Sequence, residues 1–140
     1  MNILIIDGQG GRIGRALIEG IKKEMREMAE ITAIGTNSIA TAGMIKAGAD
    51  HAATGENAAV VACRKADVIV GPIGIVLADA LLGEITPKMA AAVAASDARR
   101  ILIPFQGCNT TVVGAAQLPL SELVQSAIAE VLNIKEGRKS

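Results

Sequence analysis

Short apolar runs alternate along this chain with longer segments in which apolar residues recur every three or four positions. Residues 3–6 form a continuous apolar run, the mark of a strand buried on both faces. Residues 12–28 place Ile13, Leu17, Ile21, Met25 and Met28 on one side and Arg15, Glu19, Lys22, Lys23 and Arg26 on the other, which predicts an amphipathic helix. Ala16 and Gly20 are small enough to let that helix lie close to the sheet. A second strand is expected at 31–35, a short helix at 38–47 stopped by Gly48, and a third strand at 50–53. A helix at 56–65 and a fourth strand at 67–70, ended by Gly71-Pro72, follow. The apolar spacing of 74–82 predicts another helix, stopped by Gly83. Thr86-Pro87 supplies an N-cap and first turn for a helix reaching Ala95. A fifth strand falls at 101–103 and a short sixth at 111–113. The last helix is the most regular: Leu120, Leu123, Val124, Ala127, Ile128, Val131 and Leu132 keep helical spacing behind Pro119.

Strands alternating with helices predict an α/β, Rossmann-like three-layer fold: a mostly parallel sheet of five or six strands with helices on both faces. The 140 residues suffice for one domain, read as 1–134, followed by a polar tail at 135–140. Ligands of such sheets bind beyond the carboxyl ends of the strands. Here those ends carry Asp7-Gly8, Thr36-Asn37, Thr54-Gly55, Gly71-Pro72 and the stretch 104–109.

Composition narrows the partners. Lys plus Arg equals Asp plus Glu at 14 each, so no basic field attracts DNA or RNA, and Phe105 alone is aromatic, so no platform stacks bases. No apolar run approaches the roughly 20 residues of a membrane helix. The beginning of the sequence lacks a secretory pattern, and Cys63 and Cys108 lack metal-type spacing, so a cytoplasmic setting and no metal site are expected. Hydrophobic residues make up 51%, more apolar surface than one small domain hides, which predicts a homodimer or higher homo-oligomer.

The sharpest chemical signal is Asp7-Gly8-Gln9-Gly10-Gly11-Arg12-Ile13-Gly14, lying between a strand and a helix. Four glycines in seven residues let an anion approach main-chain N–H groups at a helix N-terminus, with Arg12 or Arg15 adding charge. Gly14 suits close packing of helix on strand. Gly11→Val is expected to keep the fold and abolish binding. Asp7 is awkward beside a phosphate and is assigned to capping the loop amides. The acidic residue that dinucleotide sites place at the end of the second strand is missing. Thr36 and Asn37 stand there instead, as neutral candidates for a ribose or its phosphate.

The stretch GQGGRIGRALIEGI resembles the N-terminal loop of dihydrodipicolinate reductases and the GxxGxxG of atypical short-chain dehydrogenases, both of which bind NAD(P). That resemblance implies NAD or NADP as cofactor, with Gly8, Gly10, Gly11, Arg12, Ile13 and Gly14 along its diphosphate. It covers about the first 20 residues. The whole chain, including GPIGIVLADALLGEITPKMA and ILIPFQGCNTTVVG, resembles a family of short bacterial proteins described as a domain of unknown function. The tyrosine of short-chain dehydrogenases and the His-rich motif of dihydrodipicolinate reductases are both absent.

Two further loops complete the candidates. Gly71 and Pro72 end the strand that would flank the first across the switch point. Gln106, Cys108, Asn109 and Thr110 make a polar loop after the fifth strand. Asp79, Glu84 and Thr86 read as structural, and His51 as a strand-edge residue. Three readings stand: a nucleotide- or dinucleotide-binding protein using Gln9 and its neighbouring glycines, a non-catalytic nucleotide sensor, or an enzyme acting on a phosphorylated metabolite through Cys108 or Asp7.

Overall fold

Five parallel strands in the order β3-β2-β1-β4-β5 form the sheet of the computed structural model, which describes residues 1–104 and 109–139. In chain order the elements are β1 Asn2–Asp7, α1 Arg12–Met25, β2 Glu30–Gly35, α2 Ser38–Lys46 and β3 His51–Thr54. They continue with α3 Glu56–Cys63, β4 Val68–Pro72, α4 Pro87–Ala95, β5 Arg99–Ile103 and α5 Leu120–Lys139. α5 thus runs into the polar segment that the sequence assigns to a tail.

The apolar run of β1 is divided between two cores by the period of a strand. Ile3 and Ile5 join Leu17, Ile18, Ile21, Met44 and Ile128 on the face covered by α1, α2 and α5. Leu4 and Ile6 join Ala59, Ile69, Met89 and Val93 on the face covered by α3 and α4. This is the three-layer Rossmann-like arrangement. Both neighbours of β1 are parallel to it, with Ile3 opposite Ile31 on one side and Val68 on the other. The chain steps outward from β1 to β3 and then returns to β4, so the order reverses between β1 and β4. A crevice opens at such a reversal.

Three local expectations are corrected. Residues 74–82 do not form an α-helix: a single 3₁₀ turn, Ile73–Val76, follows Pro72, and the chain then winds through left-handed residues Asp79, Leu81, Leu82 and Gly83. Ile75, Leu81 and Ile85 are buried one by one, so apolar spacing there mimics a helix without one. Residues 111–113 form no strand. Described residues 109–119 are exposed, with Val113 at 95%, and none of them joins the five-stranded sheet. Gly20 faces α5 rather than the sheet, in contact with Ile128.

Candidate functional site

The loop between β1 and α1 is closed by the chain's own carboxylates. Asp7 ends β1 and is 4% exposed. Its Oδ1 accepts a hydrogen bond from Gly8 N at 2.8 Å and its Oδ2 one from Gly14 N at 2.7 Å; Ile13 N also donates to it. Burial pushes the Asp7 carboxyl above its ordinary range, against the pull of these amides, and the nearby Glu84 charge pushes it further. With both oxygens engaged, Asp7 is a cap. Gly11 N donates to Gly8 O at 2.9 Å, and Arg15 N to Gly11 O at 2.9 Å, in the first turn of α1.

Gln9 N is held by Glu84, which arrives from the loop before α4. Glu84 Oε1 accepts from Gln9 N at 3.0 Å, Thr36 Oγ1 at 2.6 Å and Asn37 Nδ2 at 2.7 Å. Burial pushes its carboxyl up, but these three donors outweigh it and hold Glu84 below its ordinary value. Asn37 also caps α2, its Oδ1 accepting from Ala40 N, and donates to Gln9 O. A carboxylate therefore does stand at the end of β2, where the sequence shows none; a different loop supplies it.

Two loop amides, of Gly10 and Arg12, take part in no hydrogen bond among the described residues. Both residues line a cavity of about 200 Å³ together with Asp7, Gly8, Gln9, Gly11, Ile13, Pro72, Leu81 and Leu120. A Cβ on Gly10 would meet no atom within 4 Å. Gly11 is different: it sits at φ 73° against the backbone of Ala40, 3.0 Å from the place of a Cβ. The expectation that Gly11→Val keeps the fold is therefore corrected, because the added side chain would strike α2.

Of the residues singled out from sequence, the cavity gathers Asp7, Gly8, Gln9, Gly10, Gly11, Arg12, Ile13 and Pro72. Gly14 lies behind it, where a Cβ would meet Met44 and Asp7. Gly71 does not line it; a Cβ there would strike the Ile6 carbonyl of β1. Thr36 and Asn37 are occupied by Glu84. Asn109 and Thr110 line a second cavity of about 790 Å³ with Ile73, Pro104, Leu118 and Leu123. Gln106 and Cys108 lie outside the described residues. Sequence reasoning missed Leu81, Leu120 and, above all, Glu84. Its only signal was a polar residue inside an otherwise apolar segment.

The model of one protein family matches residues 2–136. The chain belongs to the family described as a domain of unknown function (DUF3842). No curated protein matches it. Among solved structures it is similar to a dodecameric FMN-dependent UbiX-like decarboxylase from Escherichia coli O157:H7. Identity is 16% and the TM-score 0.53, over 97% of this chain and 95% of that one. At this identity the likeness shows a shared fold.

This comparison corrects NAD or NADP as the cofactor, since the matched structure is of an FMN-dependent protein. The geometry supplies a physical reason. A dinucleotide diphosphate needs several loop amides, whereas the buried Asp7 already holds those of Gly8, Ile13 and Gly14. Among the described residues, no helix is long and apolar enough to cross a membrane.

Proposed function

We propose that this protein binds a small ligand through a single phosphate at the glycine loop, flavin mononucleotide being the class to which the fold neighbour points. One observation carries the reading: the amides of Gly10 and Arg12 lack partners among the described residues and belong to the wall of the same cavity. Gly10 is not in a left-handed conformation and no neighbour crowds it, so the fold does not demand glycine there. A ligand that must approach the main chain does. The N-terminus of α1 and the Arg12 side chain add positive potential. Pro72, Leu81 and Leu120 form an apolar wall, and the larger cavity beginning at Ile73 offers room for a flat ring beside Leu118 and Leu123. These groups fit a mononucleotide with one phosphate and an apolar ring system.

Self-association belongs to the proposal. Leu82 is 97% and Val113 95% exposed, apolar side chains that a second copy of the chain would cover. The fold neighbour is dodecameric. A cytoplasmic setting is also part of it, in keeping with Cys63, a free buried thiol.

Titration of flavin mononucleotide, followed by flavin fluorescence and thermal shift, tests the reading. The wild type should quench the flavin and gain stability. Gly10→Val should keep its unfolding temperature and bind at least about tenfold more weakly, because its branches fill the space left for the phosphate. Absence of any shift with flavin mononucleotide or inorganic phosphate would remove the proposal.

A further inference from the structure

We propose that Glu84 is an internal stand-in for an anionic ligand group: its carboxylate fills a second anion subsite, made by Gln9 N, Thr36 Oγ1 and Asn37 Nδ2, and a ligand carboxylate or phosphate displaces it and turns the loop outward. The inference deepens the single-phosphate reading, on which its choice of ligand rests.

Three donors from two separate chain segments, the glycine loop and the Thr36-Asn37 turn between β2 and α2, converge on one oxygen, at 3.0, 2.6 and 2.7 Å. That is the arrangement of an oxyanion receptor: a backbone amide of the glycine loop, a hydroxyl ending β2 and a side-chain amide at the start of α2. The Asn37 side chain and the Thr36 main chain have anchors besides Glu84. Asn37 is fixed independently by Ala40 N and Gln9 O, and Thr36 N by Asp7 O at 3.0 Å. The receptor is thus preorganised, and its occupant is the replaceable part.

The occupant's loop is closed by main-chain bonds of its own, Asp79 N to Ile85 O at 2.7 Å, Gly83 N to Asp79 O at 3.1 Å and Ile85 N to Ala80 O at 3.1 Å. Only one oxygen of Glu84 takes hydrogen bonds among the described residues. Its loop passes through Asp79 at φ 66°, Leu81 at φ 56° and Leu82 at φ 56°, a left-handed conformation that L residues rarely adopt. Leu82 is almost wholly exposed, whereas Leu81 and Ile85 are buried and anchor the loop, so displacement turns Glu84 and Leu82 outward between those anchors. Leu81 lies both in the wall of the phosphate cavity and three residues from Glu84. A ligand in the cavity therefore touches the same loop that carries the carboxylate. Glu84 also faces the buried Asp7, whose carboxyl its charge pushes up, so its departure relieves a like-charge contact.

Amide NMR with inorganic phosphate as the probe separates the two sites. Gln9 N–H and the Asn37 side-chain amide report the second subsite; Gly10 and Arg12 N–H report the first. In Glu84→Ala the Gln9 and Asn37 signals should respond to phosphate at least about tenfold more sensitively than in the wild type. That factor corresponds to about 1.4 kcal/mol, the scale of one hydrogen bond to a charged group. Glu84→Gln removes the same charge but keeps an acceptor in place, so it should gain much less. Equal gains in the two variants, or no response at Gln9 and Asn37 in Glu84→Ala, would overturn the inference. Should Glu84→Ala fail to fold, hydrogen exchange on the wild type decides: phosphate should speed exchange of the Asp79, Gly83 and Ile85 amides, and unchanged exchange would refute displacement. Silence of Gly10 and Arg12 toward flavin mononucleotide in every variant would defeat the single-phosphate reading alone.

Discussion

Asp7 gathers three main-chain amides that would otherwise face one another at a helix start without an acceptor. Replacing it by Ala strands those donors in a buried place, at an expected cost of about 1–3 kcal/mol, measurable by urea unfolding. Gly11 and Gly10, adjacent in sequence, should part company. Gly11→Val should lower stability by about 1–3 kcal/mol through its clash with Ala40 and its left-handed backbone. Gly10→Val should be nearly neutral by the same thermal assay. Sequence alone treats the two glycines alike, because the difference lies in what stands opposite each.

Among the elements, those with an independent cap or a long amphipathic face were readable from sequence. Thr86 accepts from Met89 N at 3.2 Å with Pro87 in the first turn, as Thr-Pro predicts for α4. Thr86→Ala should cost about 1 kcal/mol, seen as a lower denaturation midpoint with unchanged slope. α1 keeps its apolar stripe as far as Met25, whereas Met28, expected in it, lies beyond the end of α1 and is exposed; Leu17→Ala, at a position with no exposure, should cost about 2–5 kcal/mol in the same experiment. The segment between β4 and α4 was misread because a helical period and three separately buried side chains look alike in one dimension. What bends it is the pull of Ile75, Leu81 and Ile85 toward the core and of Glu84 toward the glycine loop.

Across the whole molecule, distant segments are joined by a few polar groups whose ionisation ties stability to pH. Asp50, just before β3, accepts from Ile31 N at 2.8 Å and from Lys22 Nζ at 2.6 Å, and these bonds hold its carboxyl below the ordinary value. A depressed folded value means that the stabilisation is present above the unfolded value of 3.8 and lost as pH falls through the folded one. Asp50→Asn should therefore unfold at a lower temperature near neutral pH, and its deficit should shrink on acidification. A deficit that does not depend on pH would contradict this assignment.

By itself the sequence determined the strand–helix alternation, the parallel sheet and the glycine turn. Each is encoded by side-chain period or backbone freedom within a few residues of chain. It also determined the cap at Asp7, since a carboxylate followed at once by the loop's own amides has its partners beside it. Only tertiary structure decided which amides are left for a ligand. That outcome turns on Glu84, 75 residues away from Gln9 along the chain, and on the parallel pairing of β1 with β4 that brings their loops to one edge. Hydrogen bonding is short-ranged, and a partner brought by topology leaves no periodic trace in the chain that supplies it.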